Sequence, residues 1–135
     1  MARYDEIDHT ADTGLTVRAA TLPEALAAAA EGMFRLMYGE VSATGRRIVF
    51  TLPDEVPADL LYDVLAELLW RAEADDLAVG HVEVHPVDDG YRVEAAATPT
   101  TAVELVGPPI KAVTWHDLVC EPRDGDWFAQ VIFDV

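Results

Sequence analysis

Two hydrophobic periods alternate along the chain, and their order predicts its elements. Leu15, Val17 and Ala19 alternate with Thr16, Arg18 and Ala20, the period-two pattern of a strand covered on one face, with Tyr4 to Asp8 as a short partner strand. The period then lengthens. Thr21-Leu22-Pro23-Glu24 reads as a capping box, with the Thr21 hydroxyl on an orphan amide, Pro23 tolerated in the first turn and Glu24 reaching back. Leu22, Ala25, Leu26, Ala29, Met33, Phe34 and Met37 follow the 3.6-residue period as far as Gly39, and Ala27 to Ala30 permit close packing on a sheet.

Arg47 to Leu52 has strand character, and Pro53 and Pro57 punctuate an acidic connection to a second helix starting near Ala58 or Asp59. Its apolar stripe is Leu61, Val64, Leu65, Leu68, Leu69 and Ala72. Strands are expected at Ala78 to Val87, Tyr91 to Thr98, Val113 to Glu121 and Trp127 to Val135, with turns at Asp88-Asp89-Gly90 and Arg123-Asp124-Gly125-Asp126, making the carboxyl half a β meander. Thr98 to Pro109, with three prolines and Gly107, reads as a loop holding at most one short edge strand. The expected fold is a single α+β domain over residues 1–135, a two-layer sandwich of two helices on mixed or mainly antiparallel sheet.

Charge narrows the function classes. With 25 Asp plus Glu against 9 Lys plus Arg and a formal charge of −16, tight binding to a phosphate backbone is not expected, since that affinity comes from cations displacing condensed counterions. A basic partner or a metal cation suits such a surface better. The lone Cys120 and an amino terminus without an apolar signal run point to the cytoplasm, and no apolar stretch is long enough to span a membrane. Isolated glycines make neither a P-loop nor a dinucleotide fingerprint.

Four groupings hold candidate chemistry. Asp8-His9-Thr10-Ala11-Asp12-Thr13-Gly14 is a polar knot between strands, which side-chain hydrogen bonding within a turn also explains. Asp59, Asp63 and Glu67 line up four residues apart on the second helix, a like-charge row that Arg71 relieves in part. Lys111, Val113 and Trp115 are expected on one strand face, with Ala112, Thr114 and His116 on the other. Phe133-Asp134-Val135 places a side-chain carboxylate beside the terminal one, and if Asp12 lay near, the oxygen-rich site would suit Ca²⁺ or Mg²⁺ rather than zinc. Ser42 and Cys120 have no activating partners in sequence, so no nucleophilic triad can be drawn.

Taken in order, these strings resemble the archease family nearly end to end. The resemblance rests on His9-Thr10-Ala11-Asp12 with Gly14-Leu15, on Thr21-Leu22-Pro23-Glu24-Ala25 with Met33-Phe34, and on Leu60-Leu61-Tyr62-Asp63 with Leu65 and Glu67-Leu68-Leu69. It continues through Lys111-Ala112-Val113-Thr114 with His116 and ends at Phe133-Asp134-Val135. It implies an accessory protein of tRNA splicing that activates an RtcB-type RNA ligase, promoting guanylylation of the ligase and repeated turnover. It also implies a divalent cation, most often calcium with magnesium or manganese as alternatives, at Asp12, Asp134 and Val135. Asp12, Asp63, Glu67, Lys111 and His116 are then expected to reach the partner's active site, with His9, Thr10 and Gly14 as structural motif residues. Two other classes, a small metal-dependent hydrolase and a general chaperone, are the alternatives.

Overall fold

A computed structural model describes the backbone of residues 2–8 and 12–135, and the side chains of residues 2–6 and 13–135. Two antiparallel sheets share two helices. Strands β1 (Arg3–Asp8) and β2 (Asp12–Ala19) form the first hairpin, followed by helix α1 (Leu22–Tyr38), strand β3 (Arg46–Pro53) and helix α2 (Pro57–Ala74). Strands β4 (Leu77–Val87) and β5 (Gly90–Pro99) come next, then β6 (Ala112–Val113), β7 (Val119–Arg123) and β8 (Asp126–Asp134). The larger sheet runs β1-β2-β8-β6 with β7 also on β8, and the smaller runs β3-β5-β4. Every pairing is antiparallel, so the mixed-sheet option falls away.

The carboxyl half is not one meander. The β4–β5 hairpin belongs to the small sheet and the β7–β8 hairpin to the large one, a division made by which inward faces the helices cover. Helix α1 packs on β4 of one sheet and β2 of the other, and α2 touches β3 and β4 as well as β6 and β7. Contact with both sheets explains why Ala25, Leu26, Ala28, Ala29, Ala30, Met33, Phe34 and Met37 are all buried, an arc wider than one amphipathic stripe. Gly32 lets α1 approach β2 closely, because a Cβ there would lie 2.8 Å from the Leu15 side chain.

The local signals hold for the helix ends, although the Glu24 side chain makes no return bond to the Thr21 amide and only half of the capping box forms. The Thr21 hydroxyl accepts from the Glu24 amide at 3.3 Å, and Gly39, at a φ of 67°, closes α1 by donating to the Arg35 carbonyl. Leu15, Val17 and Ala19 are buried, as is the whole expected stripe of α2 together with Leu60. Asp124 and Gly125 both have positive φ, the two-residue turn that suits the right-handed twist of a hairpin. The loop before β6 carries a short 3-10 turn at Thr100–Ala102 and no edge strand.

The expected strand from Val113 to Glu121 is broken. Val113 pairs with Phe133 and pairing resumes at Val119 with Gln130, so six steps on this side match three on β8 and the excess loops out. The loop has its own hydrogen bonds: the Thr114 amide and hydroxyl both reach the Ile132 carbonyl, the His116 amide donates to the Thr114 hydroxyl, and the Leu118 amide donates to the Trp115 carbonyl. Asp117, at a φ of 51°, turns the chain back. Lys111 and Trp115 therefore do not share a strand face.

Candidate functional site

One end of the large sheet gathers three of the expected residues. The β2–β8 register places Asp12 opposite Asp134, and Ala112 of β6 lies opposite Asp134 on its other side. The Lys111 amide donates to the Asp134 carbonyl at 2.8 Å. The end of β8 is thus held between two neighbours, and Val135 packs against the core beyond it. Residues that are far apart in the chain meet here because β8 is an interior strand of the sheet.

Gly14 has a steric reason to be glycine. A Cβ there would lie 2.3 Å from the Val131 carbonyl oxygen and 3.0 Å from the Ile132 side chain, so the ladder leading to Asp12 closes only around a residue without one. His9 and Thr10 lie outside the described residues, as does the side chain of Asp12.

The helix α2 row does not act as a unit. Glu67 is held by Arg71 at 2.6 Å, and the Arg71 guanidinium also covers the Phe50 ring, 5.1 Å from its centre. Asp63 instead faces Glu55, a residue from the acidic connection that the sequence did not single out. Glu55 Oε2 is buried with no N–H or O–H donor facing it, so a hydrogen bond between the two carboxyls needs a proton on one of them. That hydrogen bond, with burial and the charges of Asp63 and Asp59, raises the Glu55 pKa from 4.5 to about 7.

Tyr62, also on α2, stacks on Trp115 at 4.0 Å and 11°, tying the looped-out segment between β6 and β7 to the helix. A notch of 160 Å³ beside it is lined by Ala66, Trp70, Glu73 and Lys111 among others, and Trp70 is exposed. Tyr62 and Glu67 are five residues apart, about 140° around the helix, so Lys111 and Glu67 flank α2 on different sides. His116 is exposed in its turn, with Nε2 3.2 Å from Asp117 Oδ2.

A further cluster on β4 escaped the sequence reading, although its His-x-Glu-x-His spacing puts all three side chains on one strand face. Glu83 contacts His81 at 3.0 Å and His85 at 3.1 Å, and those hydrogen bonds lower its pKa. His81 also reaches Glu31 of α1, while Arg47 and Arg92 hold the neighbouring Glu94. These side chains satisfy one another. Among the described residues no three His, Cys, Asp or Glu side chains are arranged as a metal shell, and no helix is long and apolar enough to cross a membrane.

The fold and this sheet end define a small α+β protein, two helices on antiparallel sheets, in which the backbones of Asp12, Asp134 and the single lysine meet at one strand terminus. The model of the Archease protein family (MTH1598/TM1083) matches residues 4–135. Protein archease of Thermococcus gammatolerans is 34% identical over the full length of both chains, and that of Methanosarcina acetivorans is 33% identical over 98% of this chain and 96% of its own. The solution structure of Methanobacterium thermoautotrophicum protein 1598 superposes with a TM-score of 0.77 at 30% identity, covering 98% of each chain. The crystal structure of a Thermotoga maritima archease, described as a possible chaperone, gives 0.70 at 20% identity over 97% of this chain and 96% of that one. The chain belongs to the archease family.

Proposed function

We propose that this protein is an accessory activator of an RtcB-type RNA ligase in tRNA splicing, promoting guanylylation of the ligase and its repeated turnover. The observation that supports this most is the strand-end arrangement: Asp12 stands opposite Asp134, and the backbone of Lys111, the single lysine, is hydrogen-bonded to Asp134. Lys111 is exposed and would contact a phosphate or a carboxylate of the partner. A chain of charge −16 suits docking on a basic protein surface rather than on RNA.

The donor chemistry of this end fits a hard divalent cation, calcium above all. Asp12, Asp134 and Val135 would hold it through oxygen alone, and directly opposed residues in an antiparallel ladder have Cα atoms only about 4.5–5.5 Å apart. When bound, the cation supplies positive charge that offsets the opposed carboxylates. Asp63, Glu67 and His116 would contact the partner outside this strand end, Glu67 from the other side of α2, and each is already held by a neighbour in the free protein.

The test is guanylylation of the ligase from the same organism, measured under single-turnover conditions with wild-type protein and with Asp12→Ala and Lys111→Ala. Both variants are expected to lose stimulation while keeping the fold. Full stimulation by both folded variants would refute the assignment.

A further inference from the structure

A cleft beside the edge of the large sheet reaches Thr13, the chain neighbour of Asp12. It measures 570 Å³, within the roughly 300–1,000 Å³ range of binding clefts, and runs between β1 and α1. Tyr4 and Glu6 of β1 line one wall, Gly32, Arg35 and Leu36 of α1 the other. Val106 and Gly107 close one end, their amides donating to the Met37 carbonyl at 2.7 and 3.3 Å. Val106 and the adjacent Leu105 are 68% and 51% exposed, an apolar rim that nothing in the chain covers among the described residues.

Strand β1 is the last strand on its side of the sheet and pairs with β2 alone among the described strands. Half of its backbone N–H and C=O groups therefore face outward without a strand partner. An unpaired strand edge above an apolar cleft, with a helix as the far wall, is the geometry in which an extended segment adds as a further strand. Its backbone continues the ladder and alternate side chains enter the cleft.

Charge selects the occupant. Asp5 and Glu6 stand on the edge strand, Glu31 and Glu40 lie near Tyr4 on the helix side, and the one arginine in the cleft, Arg35, is already held by Glu40 at 3.3 Å. A second copy would bring its own Asp5 and Glu6 with only Arg3 as a cation on the strand, so acid outweighs base across such a ladder, and like charges facing each other are destabilising. We propose that the β1–α1 cleft binds an extended, basic segment of a partner protein by strand addition to β1.

The probe is a fluorescent heptapeptide of alternating valine and arginine, followed by anisotropy and by amide shifts of the ¹⁵N-labelled protein. Binding with shifts centred on β1 and the facing side of α1 is expected. A valine–glutamate heptapeptide should bind at least tenfold more weakly, as should the arginine peptide N-methylated at every second residue on the ladder side. The surface variant Asp5→Lys/Glu6→Lys, whose side chains are exposed, should lose the basic peptide while keeping its melting behaviour. Equal affinity for the N-methylated peptide would overturn the proposal, because general attraction to an acidic surface needs no ladder. Shifts centred elsewhere would also overturn it, as would a dimer through β1 in sedimentation, which would make a second copy the occupant.

Discussion

The Tyr62 and Trp115 rings lie nearly parallel, 11° apart in plane with centres 4.0 Å apart, and this contact joins α2 to the segment looped out between β6 and β7. Such a pair contributes about 0.5–1.5 kcal/mol beyond the area it buries. Trp115→Ala should therefore destabilise the protein by about 1 kcal/mol, although Trp115 is more than half exposed. Denaturant midpoints for wild type and variant measure this, and an unchanged midpoint would show that the stack adds nothing.

Glu55 should make stability fall as pH rises. Its folded pKa of about 7 exceeds the ordinary 4.5, so the native state holds the extra proton between those values. The contribution is complete below pH 4.5 and is lost as pH passes through about 7. Replacing Glu55 with Gln keeps a donor toward Asp63 at every pH, so the variant's melting temperature should drop less than the wild type's between pH 5 and 8. Parallel profiles would show that no proton is shared.

Removal of Asp134 and Val135 tests the cation end. A cation that binds only the folded state raises its melting temperature by mass action. Calcium is expected to stabilise the intact chain and not the truncated one, which keeps Val131 and Phe133 as buried anchors. Equal stabilisation of both would place the cation elsewhere.

Gly14→Ala should cost at least about 1 kcal/mol, because the new Cβ meets the Val131 carbonyl at 2.3 Å and the β2–β8 ladder must open. Amide exchange at Thr13 and Leu15 should speed up first. A variant with unchanged exchange would show that the ladder absorbs the methyl group.

The Cys120 thiol should be inert. Burial, with Glu121 adding its charge, pushes its pKa up to about 12, leaving almost no thiolate at neutral pH. A disulfide reagent at pH 8 should modify it only after unfolding; rapid labelling of the native protein would contradict its burial.

What the sequence determined by itself was local. Thr21 and Gly39 set the ends of α1, alternation in Leu15, Val17 and Ala19 set the buried face of β2, and Asp124-Gly125 set a hairpin, because each depends on bonds and sterics within a few residues. The members of the strand-end site could be named through family resemblance, but periodicity does not carry the pairing of Asp12 with Asp134. The tertiary structure decided which strand joined which sheet, since an apolar face specifies burial without specifying its neighbour. Tertiary packing also split Val113 to Glu121 around Trp115, paired Asp63 with Glu55, and left β1 with an open edge over a cleft. Each of these arises where distant segments compete for the same surface, and that competition is resolved only when the two helices pack against both sheets.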